Sequence, residues 1–264
     1  MTEQHRERFT RPWAILALAA LLAGASGCSA YRAGSDGETL DPLEPINRPI
    51  YGFNDWLDRW LLRPVAKGYD TVAPKAVKFA VTNFFNNWAT PIYVVNHILQ
   101  GSIGAAARQT GRFAINTTLG LGGIIDAAQD ANLPREETGF GTTLGKWGAG
   151  DGPYLVLPIF GPSNPRDAVG RFADRAIDPL LNYKNASVRD KLRILRIIDL
   201  RRQFLGADKA IREAADPYIF VREAYLQRRT FQITGEKETD DLADFEAEFE
   251  QMLEEEGTGA GGGT

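Results

Sequence analysis

The sequence predicts an all-α body that is interrupted by irregular segments rich in glycine and proline. Three observations support this fold class. Apolar residues recur at spacings of three and four over most of the chain, as on one face of a helix. Most of these segments begin at or near Pro or Ser, which favour helix starts. Strand-like alternation is scarce, and Pro153 and Pro158 argue against a central strand in the extended apolar run at residues 154–160.

The first 27 residues are typical of an export signal. Arg6, Arg8 and Arg11 give a basic start, and an unbroken apolar run follows from Trp13 to Ala23. A membrane-spanning helix needs about 20 apolar residues, so this shorter run is better explained as a signal-peptide core. Residues 1–27 are therefore predicted to be cleaved off.

Cys28, the only cysteine, follows three small residues, Ala25, Ser26 and Gly27. This arrangement looks like a lipobox, although Leu is more usual at the position of Ala25. It predicts cleavage before Cys28, with diacylglycerol and an acyl chain attached to that residue. Ser29, rather than Asp, favours the outer membrane over the inner membrane. The alternative is an ordinary signal peptide followed by a buried free cysteine.

Residues 28–40 are small and polar, so they are predicted to be a flexible tether. The folded body is predicted at residues 41–235, which is long enough for one domain. It starts at Asp41-Pro42-Leu43-Glu44, a helix-start signature. The first steady helix is predicted from Asn47 or Pro49 to Leu62. Further helices are predicted at residues 74–85, 91–99, 102–116, 166–177, 188–204, 209–214 and 217–229, with a break at Gly206.

The C-terminal residues 236–264 carry eleven carboxylates and one lysine and end in a glycine-rich stretch. This composition predicts a solvated, mostly disordered tail. Because the whole chain has a net charge of −4, the remaining body is mildly basic. A mildly basic body suits an anionic lipid surface, and it is equally ordinary for a soluble domain.

The sequence lacks the groups that most enzymes need. After removal of the signal, His97 is the only histidine, and no free thiol remains if Cys28 carries lipid. This excludes most zinc sites and any Cys/His dyad, so no metal or other cofactor is expected. Gly161-Pro162-Ser163-Asn164-Pro165 lacks the strand-turn-helix context and the final glycine of a nucleophile elbow. The chain is therefore predicted not to be an enzyme, and His97 is interpreted as a core or helix-end imidazole.

Two glycine-rich segments are unusual. Gly120, Gly122 and Gly123 are not followed by the Gly-Lys-Ser/Thr of a phosphate loop, and they are better explained as a turn between helices. The segment 139–167 is too rich in Gly and Pro for a regular helix and too apolar for an idle linker. It would suit a backbone that lines a passage in an apolar setting, or else a packed irregular loop of a soluble domain.

Long ordered motifs over residues 41 to about 228 resemble the MlaA (also called VacJ) family of outer-membrane lipoproteins. These motifs are Asp41-Pro-Leu-Glu-Pro-Ile-Asn-Arg48 with Phe53-Asn54 and Asp58; Arg112-Phe-Ala-Ile-Asn-Thr-Thr-Leu-Gly-Leu-Gly-Gly123 with Asp126; Phe140-Gly-Thr-Thr-Leu-Gly-Lys-Trp-Gly148; Gly152-Pro-Tyr-Leu-Val-Leu-Pro158 through Arg166-Asp167; and Asp216-Pro-Tyr-Ile-Phe-Val-Arg-Glu-Ala-Tyr225. The acidic tail lies outside the resemblance.

The resemblance implies a ring-like bundle of helices that lies in the outer membrane around a central amphipathic channel. It implies a lipid-anchored protein that faces the periplasm. Such proteins are thought to remove mislocalised phospholipid from the outer leaflet and pass it to a periplasmic, MlaC-like lipid carrier, which maintains lipid asymmetry. A trimeric porin is a further expected partner, and nucleic acid is not.

Candidate channel or hinge residues come from the two glycine-rich segments and from the turn near Gly206. They are Gly120, Gly122, Gly123, Gly148, Gly150, Gly152, Arg201, Arg202, Gly206 and Lys209. The glycines could allow close backbone approach. Arg201, Arg202 and Lys209 could meet phosphate, or they could form a solvated helix face.

Two other functions remain compatible with the sequence. One is a porin-associated structural envelope lipoprotein without lipid passage. The other is a membrane-bound phospholipase that uses His97. A scaffold predicts no lipid transfer in reconstituted bilayers, and a phospholipase predicts release of lysophospholipid or fatty acid.

Overall fold

The computed structural model describes residues 41–235, which are mostly helical, as the sequence predicts. The signal peptide, Cys28, the tether and the acidic tail from residue 236 lie outside the described residues. Those expectations therefore stay predictions.

The first helical run continues past the predicted end at Leu62. Helix α1 spans Glu44–Leu57, a π-helical turn spans Asp58–Leu62, and α2 spans Arg63–Val72. Pro64 has no backbone N–H and its ring would crowd the carbonyl four residues earlier. The hydrogen-bond pattern accordingly widens, and the Arg63 N–H donates to the Asp58 carbonyl, five residues back.

Helix α3 spans Lys75–Leu99, where the sequence predicted two separate helices. The helix runs through Pro91, so that proline is not a boundary. Helix α4 spans Ile103–Thr118 after a short turn, and it packs along α3. Both helices bury small residues, Ala89 on α3 and Ala105 and Ala106 on α4.

The segment 139–167 contains more regular structure than predicted. After a short helix α5 (Ala127–Asp130), helix α6 spans Phe140–Lys146 inside this segment. Strands β1 (Leu155–Leu157) and β2 (Gly161–Ser163) then form an antiparallel hairpin in which Val156 pairs with Pro162. The expectation that this segment is too rich in Gly and Pro for a regular helix was wrong for residues 140–146, because a short helix forms between the glycines and prolines.

The remaining helices are close to the predicted ones. Helix α7 spans Pro165–Ile177 and α8 spans Ala186–Gln203. A 3₁₀ turn at Leu205–Ala207 leads into α9 (Asp208–Glu213), and α10 spans Pro217–Thr234. Asparagine or aspartate side chains cap three of these helices at the N-terminus, namely Asn164, Asn185 and Asp216.

The interior of residues 41–235 is unusually polar, and the surface is unusually apolar. Buried polar and charged side chains outnumber buried apolar ones, and the buried apolar cluster of Tyr154, Val156 and Tyr218 is small. Large apolar side chains are exposed over most helices, including Trp60 at 75% and Phe79 at 67%. In the described part of the chain, no helix has both the length and the apolar character needed to cross a membrane.

Candidate functional site

Two adjoining cavities lie between the N-terminal helices, the β-hairpin and the C-terminal helices. The larger has a volume of about 940 Å³ and lies between α1, the π-helical turn and the segment 201–221. The smaller has a volume of about 680 Å³ and lies between α6, α7 and α10. Both are lined by the same six residues, which we call the waist: Phe160, Pro162, Phe204, Ala207, Ile211 and Val221.

The waist is wholly apolar, whereas the cavities on its two sides are lined by charged groups. Phe160 and Phe204 are 63% and 51% exposed, so their rings are not held in a packed core. The two cavities together therefore have an amphipathic lining, with charged groups on both sides of an apolar set. Such a lining can meet both a polar headgroup and the apolar chains beside it.

The larger cavity carries a set of arginine–aspartate pairs. On its outer side, Arg48 contacts Asp216 at 2.7 Å and Arg59 contacts Asp55. The hydrogen bond from Arg48 lowers the pKa of Asp216 below the usual carboxyl range. Both side chains of each outer pair remain partly exposed.

A second group of charges is more deeply placed in the same cavity. Arg201 contacts Asp58 at 2.5 Å and Asp208 at 2.8 Å, and Arg63 contacts Asp208 at 2.8 Å. These four side chains connect the π-helical turn, α2, α8 and α9. The hydrogen bond to Asp58 raises the pKa of Arg201. We call these residues the inner network.

The smaller cavity contains a buried carboxylate, Asp167, and a half-buried one, Asp174, with different partners. Asp167 pairs with Arg229 and accepts a 2.5 Å hydrogen bond from the Tyr225 hydroxyl. Asp174 accepts hydrogen bonds from the Asn96 amide at 2.9 Å and from the Phe140 N–H. Burial raises the pKa of Asp174, because desolvation disfavours the charged form.

Two asparagines of α1 hold the β-hairpin that supplies part of the waist. Asn47 donates to the Tyr154 carbonyl and accepts from the Val156 N–H, both at 2.9 Å. Asn54 donates to the Leu157 carbonyl at 3.0 Å and accepts from the Ile159 N–H at 2.7 Å. Each amide therefore bonds to the strand backbone as a neighbouring strand would.

The predicted channel and hinge residues divide into two groups. Arg201 lines the larger cavity, although its guanidinium already contacts aspartates. Arg202 contacts Asp199 and Thr82 instead, and Lys209 is exposed near Glu213. Neither Arg202 nor Lys209 is part of the lining of either cavity.

The predicted glycines do not line the two cavities. Gly120, Gly122 and Gly123 form the turn after α4, where Gly123 has φ +93° and lies against Asn87. Gly148, Gly150 and Gly152 lie in the loop between α6 and β1. Gly206 lies in the 3₁₀ turn beside the waist, and its surroundings leave room for a side chain.

The sequence reasoning missed most of the cavity lining. Arg48 and Asp58 stand within the motifs that carried the resemblance, but no role was assigned to them. Asp55, Asp58, Arg59 and Arg63 place two acidic and two basic residues at spacings of three and four. That pattern could have indicated a charged helix face, but the partners on α8 to α10 are not visible in it.

His97 is buried and does not resemble a catalytic base. Its Nε2 lies 3.2 Å from the Glu136 carbonyl oxygen, so this nitrogen is the donor. Residues 41–235 contain no cluster of three or more side chains suited to hold a metal ion.

The chain is similar to proteins of known family. The family model described as MlaA lipoprotein matches residues 39–232. Proteins called "Intermembrane phospholipid transport system lipoprotein MlaA" from Shigella flexneri and Escherichia coli K12 are 39% and 38% identical over 83% of this chain and 90% of their own lengths. The Haemophilus influenzae protein of that name is 35% identical over 76% of this chain and 82% of its own length.

The fold also matches a solved structure. A chain described as "Structural basis for maintenance of bacterial outer membrane lipid asymmetry" superposes with a TM-score of 0.66 at 40% identity. The match covers 74% of this chain and 99% of that one.

Proposed function

Because the chain belongs to the MlaA lipoprotein family, we propose that it is an intermembrane phospholipid transport lipoprotein whose two cavities form the lipid passage. It acts by moving phospholipid and breaks no bond. Polar groups along a passage lower the cost of carrying a charged headgroup past hydrocarbon. Relatives named for phospholipid transport, and a fold neighbour linked to outer-membrane lipid asymmetry, support this proposal.

The apolar waist between two charged cavities is the observation that carries the proposal. A headgroup would exchange contacts with the arginines and aspartates of one cavity for those of the other. The waist would let only amphipathic molecules pass readily, because bare ions lose their hydration there. Diffusion through such a passage needs no catalytic group.

We propose that the protein lies in the outer membrane on its periplasmic side. Lipid on Cys28 would supply the anchor, and exposed apolar side chains such as Trp60 and Phe79 would contact acyl chains. No helix in residues 41–235 spans a bilayer by its length and hydropathy, so the embedding would depend on the apolar outer faces of several helices together. A trimeric porin and a periplasmic lipid carrier are the proposed partners.

Blocking the waist tests this function. Ala207→Trp places a large ring where both cavities meet, whereas Ala210→Trp on the adjacent helix α9 adds the same ring at an exposed position outside both linings. In a strain that lacks the gene, we expect the Ala210 variant to restore normal surface phospholipid and detergent resistance. The Ala207 variant should reach the same abundance in the membrane and fail to restore either.

Full restoration by Ala207→Trp would contradict the passage. It would favour a porin-associated scaffold, for which an open waist is unnecessary. A phospholipase would instead release lysophospholipid or fatty acid, and this release would depend on His97. The buried position of His97 and its bond to a backbone carbonyl argue against that activity.

A further inference from the structure

The larger cavity has nearly equal numbers of basic and acidic side chains. Five arginines and four aspartates line it. A cavity made for a simple anion would be expected to carry an excess of unpaired basic groups. This lining therefore fits a ligand that carries both signs of charge.

The pairing within the cavity decides which headgroups fit. When a phosphate binds Arg48 or Arg59, it competes with the aspartate that the guanidinium already contacts. If the headgroup has no cation, the displaced carboxylate loses its cationic partner in a confined space, which is unfavourable. If the headgroup carries an ammonium, that ammonium can replace the arginine at the carboxylate.

The two outer pairs are better placed for this exchange than the inner network. The Arg59 and Asp55 side chains are 64% and 33% exposed, and those of Arg48 and Asp216 are 40% and 32% exposed. The Arg63, Arg201 and Asp208 side chains are all 18% exposed or less. Because the inner charges are less exposed and form one connected network, they suit a structural role in the wall, whereas the more exposed outer pairs are more open to exchange with a ligand.

We propose that the outer pairs Arg59–Asp55 and Arg48–Asp216 form a selective headgroup subsite that prefers zwitterionic phospholipid to phospholipid whose headgroup carries only the phosphate charge. The arginine of a pair contacts the phosphate and its aspartate contacts the ammonium. The two carbons between phosphate and ammonium in a phosphoethanolamine allow one headgroup to reach both members of a pair. This preference rests on the proposed lipid passage.

The preference is tested with full-length lipidated protein in vesicles. The probes are phosphatidylethanolamine and phosphatidylglycerol with the same fluorescent acyl chain, each at trace level in phosphatidylcholine vesicles. Dithionite added outside destroys the label in the outer leaflet, and the slow phase reports protein-dependent movement from the inner leaflet. Vesicles loaded with a soluble fluorophore show whether dithionite itself enters.

We expect phosphatidylethanolamine to move at least about threefold faster than phosphatidylglycerol, a ratio typical of one partly exposed ion pair. Asp55→Asn removes the carboxylate of one of the two pairs and leaves Arg59 in place, so it should reduce this difference by accelerating phosphatidylglycerol. Exchange of the pair, Asp55→Arg with Arg59→Asp, keeps both charges and should retain the preference. Asp190→Asn, at an exposed position on α8 outside both cavities, is the matched control and should change neither rate.

The outcomes separate the two proposals. Equal rates for the two lipids in the unaltered protein, or an unchanged ratio in Asp55→Asn, would overturn the headgroup preference and leave the passage standing. No protein-dependent movement of either lipid would overturn the passage and the preference with it.

Discussion

At the scale of single residues, buried amides and carboxylates hold the elements together, a role that apolar side chains have in most small domains. Asn47 is 1% exposed, and it satisfies both a carbonyl and an N–H of the β1 segment. A buried backbone group without a partner is costly, so this side chain helps to fix the position of the hairpin. Asn54 makes the same pair of bonds in a less buried place.

Asn47→Ala is expected to lower the free energy of unfolding by about 2–3 kcal/mol, because it leaves two buried backbone groups unpaired. Asn54→Ala should cost less, since water can reach its partners. Thermal unfolding of both variants in detergent, followed by circular dichroism, measures the difference. A larger loss for Asn54→Ala would contradict this account of the hairpin.

Asp216 couples folding to pH. Its side chain caps α10 by accepting from the Tyr218 and Ile219 N–H groups, and it also contacts Arg48. Because the pKa of the folded carboxyl is lowered, its stabilising contribution is present above the ordinary carboxyl pKa of about 4 and is lost as pH falls toward the folded value.

Asp216→Asn should retain the cap and lose the part of the acid sensitivity that comes from this carboxyl, because Asn caps helices well and does not titrate here. Asp216→Ala should lose the cap too and unfold at lower temperature at neutral pH, with a loss of about 1 kcal/mol. Melting temperatures between pH 3 and pH 7 test both statements. An identical pH profile for Asp216→Asn and the unaltered protein would contradict them.

At the scale of elements, close contact between two helices depends on glycine, which has no side chain. Helices α6 and α7 approach so closely that a Cβ on Gly170 would lie 2.2 Å from the Gly141 nitrogen. The opposing group is backbone, which cannot move aside as a flexible side chain can. Asp167 on α7 also packs against Gly141, and both residues line the smaller cavity. The close contact between α6 and α7 therefore also positions this part of the cavity wall.

Gly170→Ala is therefore expected to destabilise the protein by about 2 kcal/mol or more, through overpacking. Gly52→Ala is the matched control, because Gly52 lies in α1 with nothing near its Cβ position. It should be neutral or stabilising by up to about 1 kcal/mol. Equal effects of the two substitutions on the unfolding free energy would show that the α6–α7 contact tolerates a methyl group.

At the scale of the whole molecule, the distribution of polarity is the feature to explain. Polar groups are buried and bonded to each other, while Trp56, Trp60 and Trp147 are each more than half exposed. Tryptophan rings favour the boundary between headgroups and hydrocarbon. This distribution suits an apolar surrounding better than water, and it supports the proposed location in a membrane.

Fluorescence quenching by brominated phospholipid tests that location. A variant that keeps only Trp60 should be quenched strongly. One that keeps only Trp88 should be quenched less, because Trp88 packs between Phe84 and Tyr183. Equal quenching, or none for Trp60, would contradict the proposed embedding.

The sequence by itself determined the helical class, most helix positions and the family. These features depend on local spacing and on ordered motifs, which are readable along the chain. Predictions from the sequence were wrong where tertiary packing overrides local helix propensity. The continuous helix through Pro91 and the short helix α6 among glycines are two such places. In both places, packing against the adjacent helix stabilises a conformation that the residues alone do not favour.

The tertiary structure alone decided which residues line the cavities. Arg48 meets Asp216 across 168 positions of sequence, and Arg201 meets Asp58 across 143. Helical periodicity shows which residues share a face, but it does not show which distant face lies opposite. The apolar waist and the long-range charge pairs form only where α1, the β-hairpin and the segment 201–221 come together, because each element supplies only part of the wall.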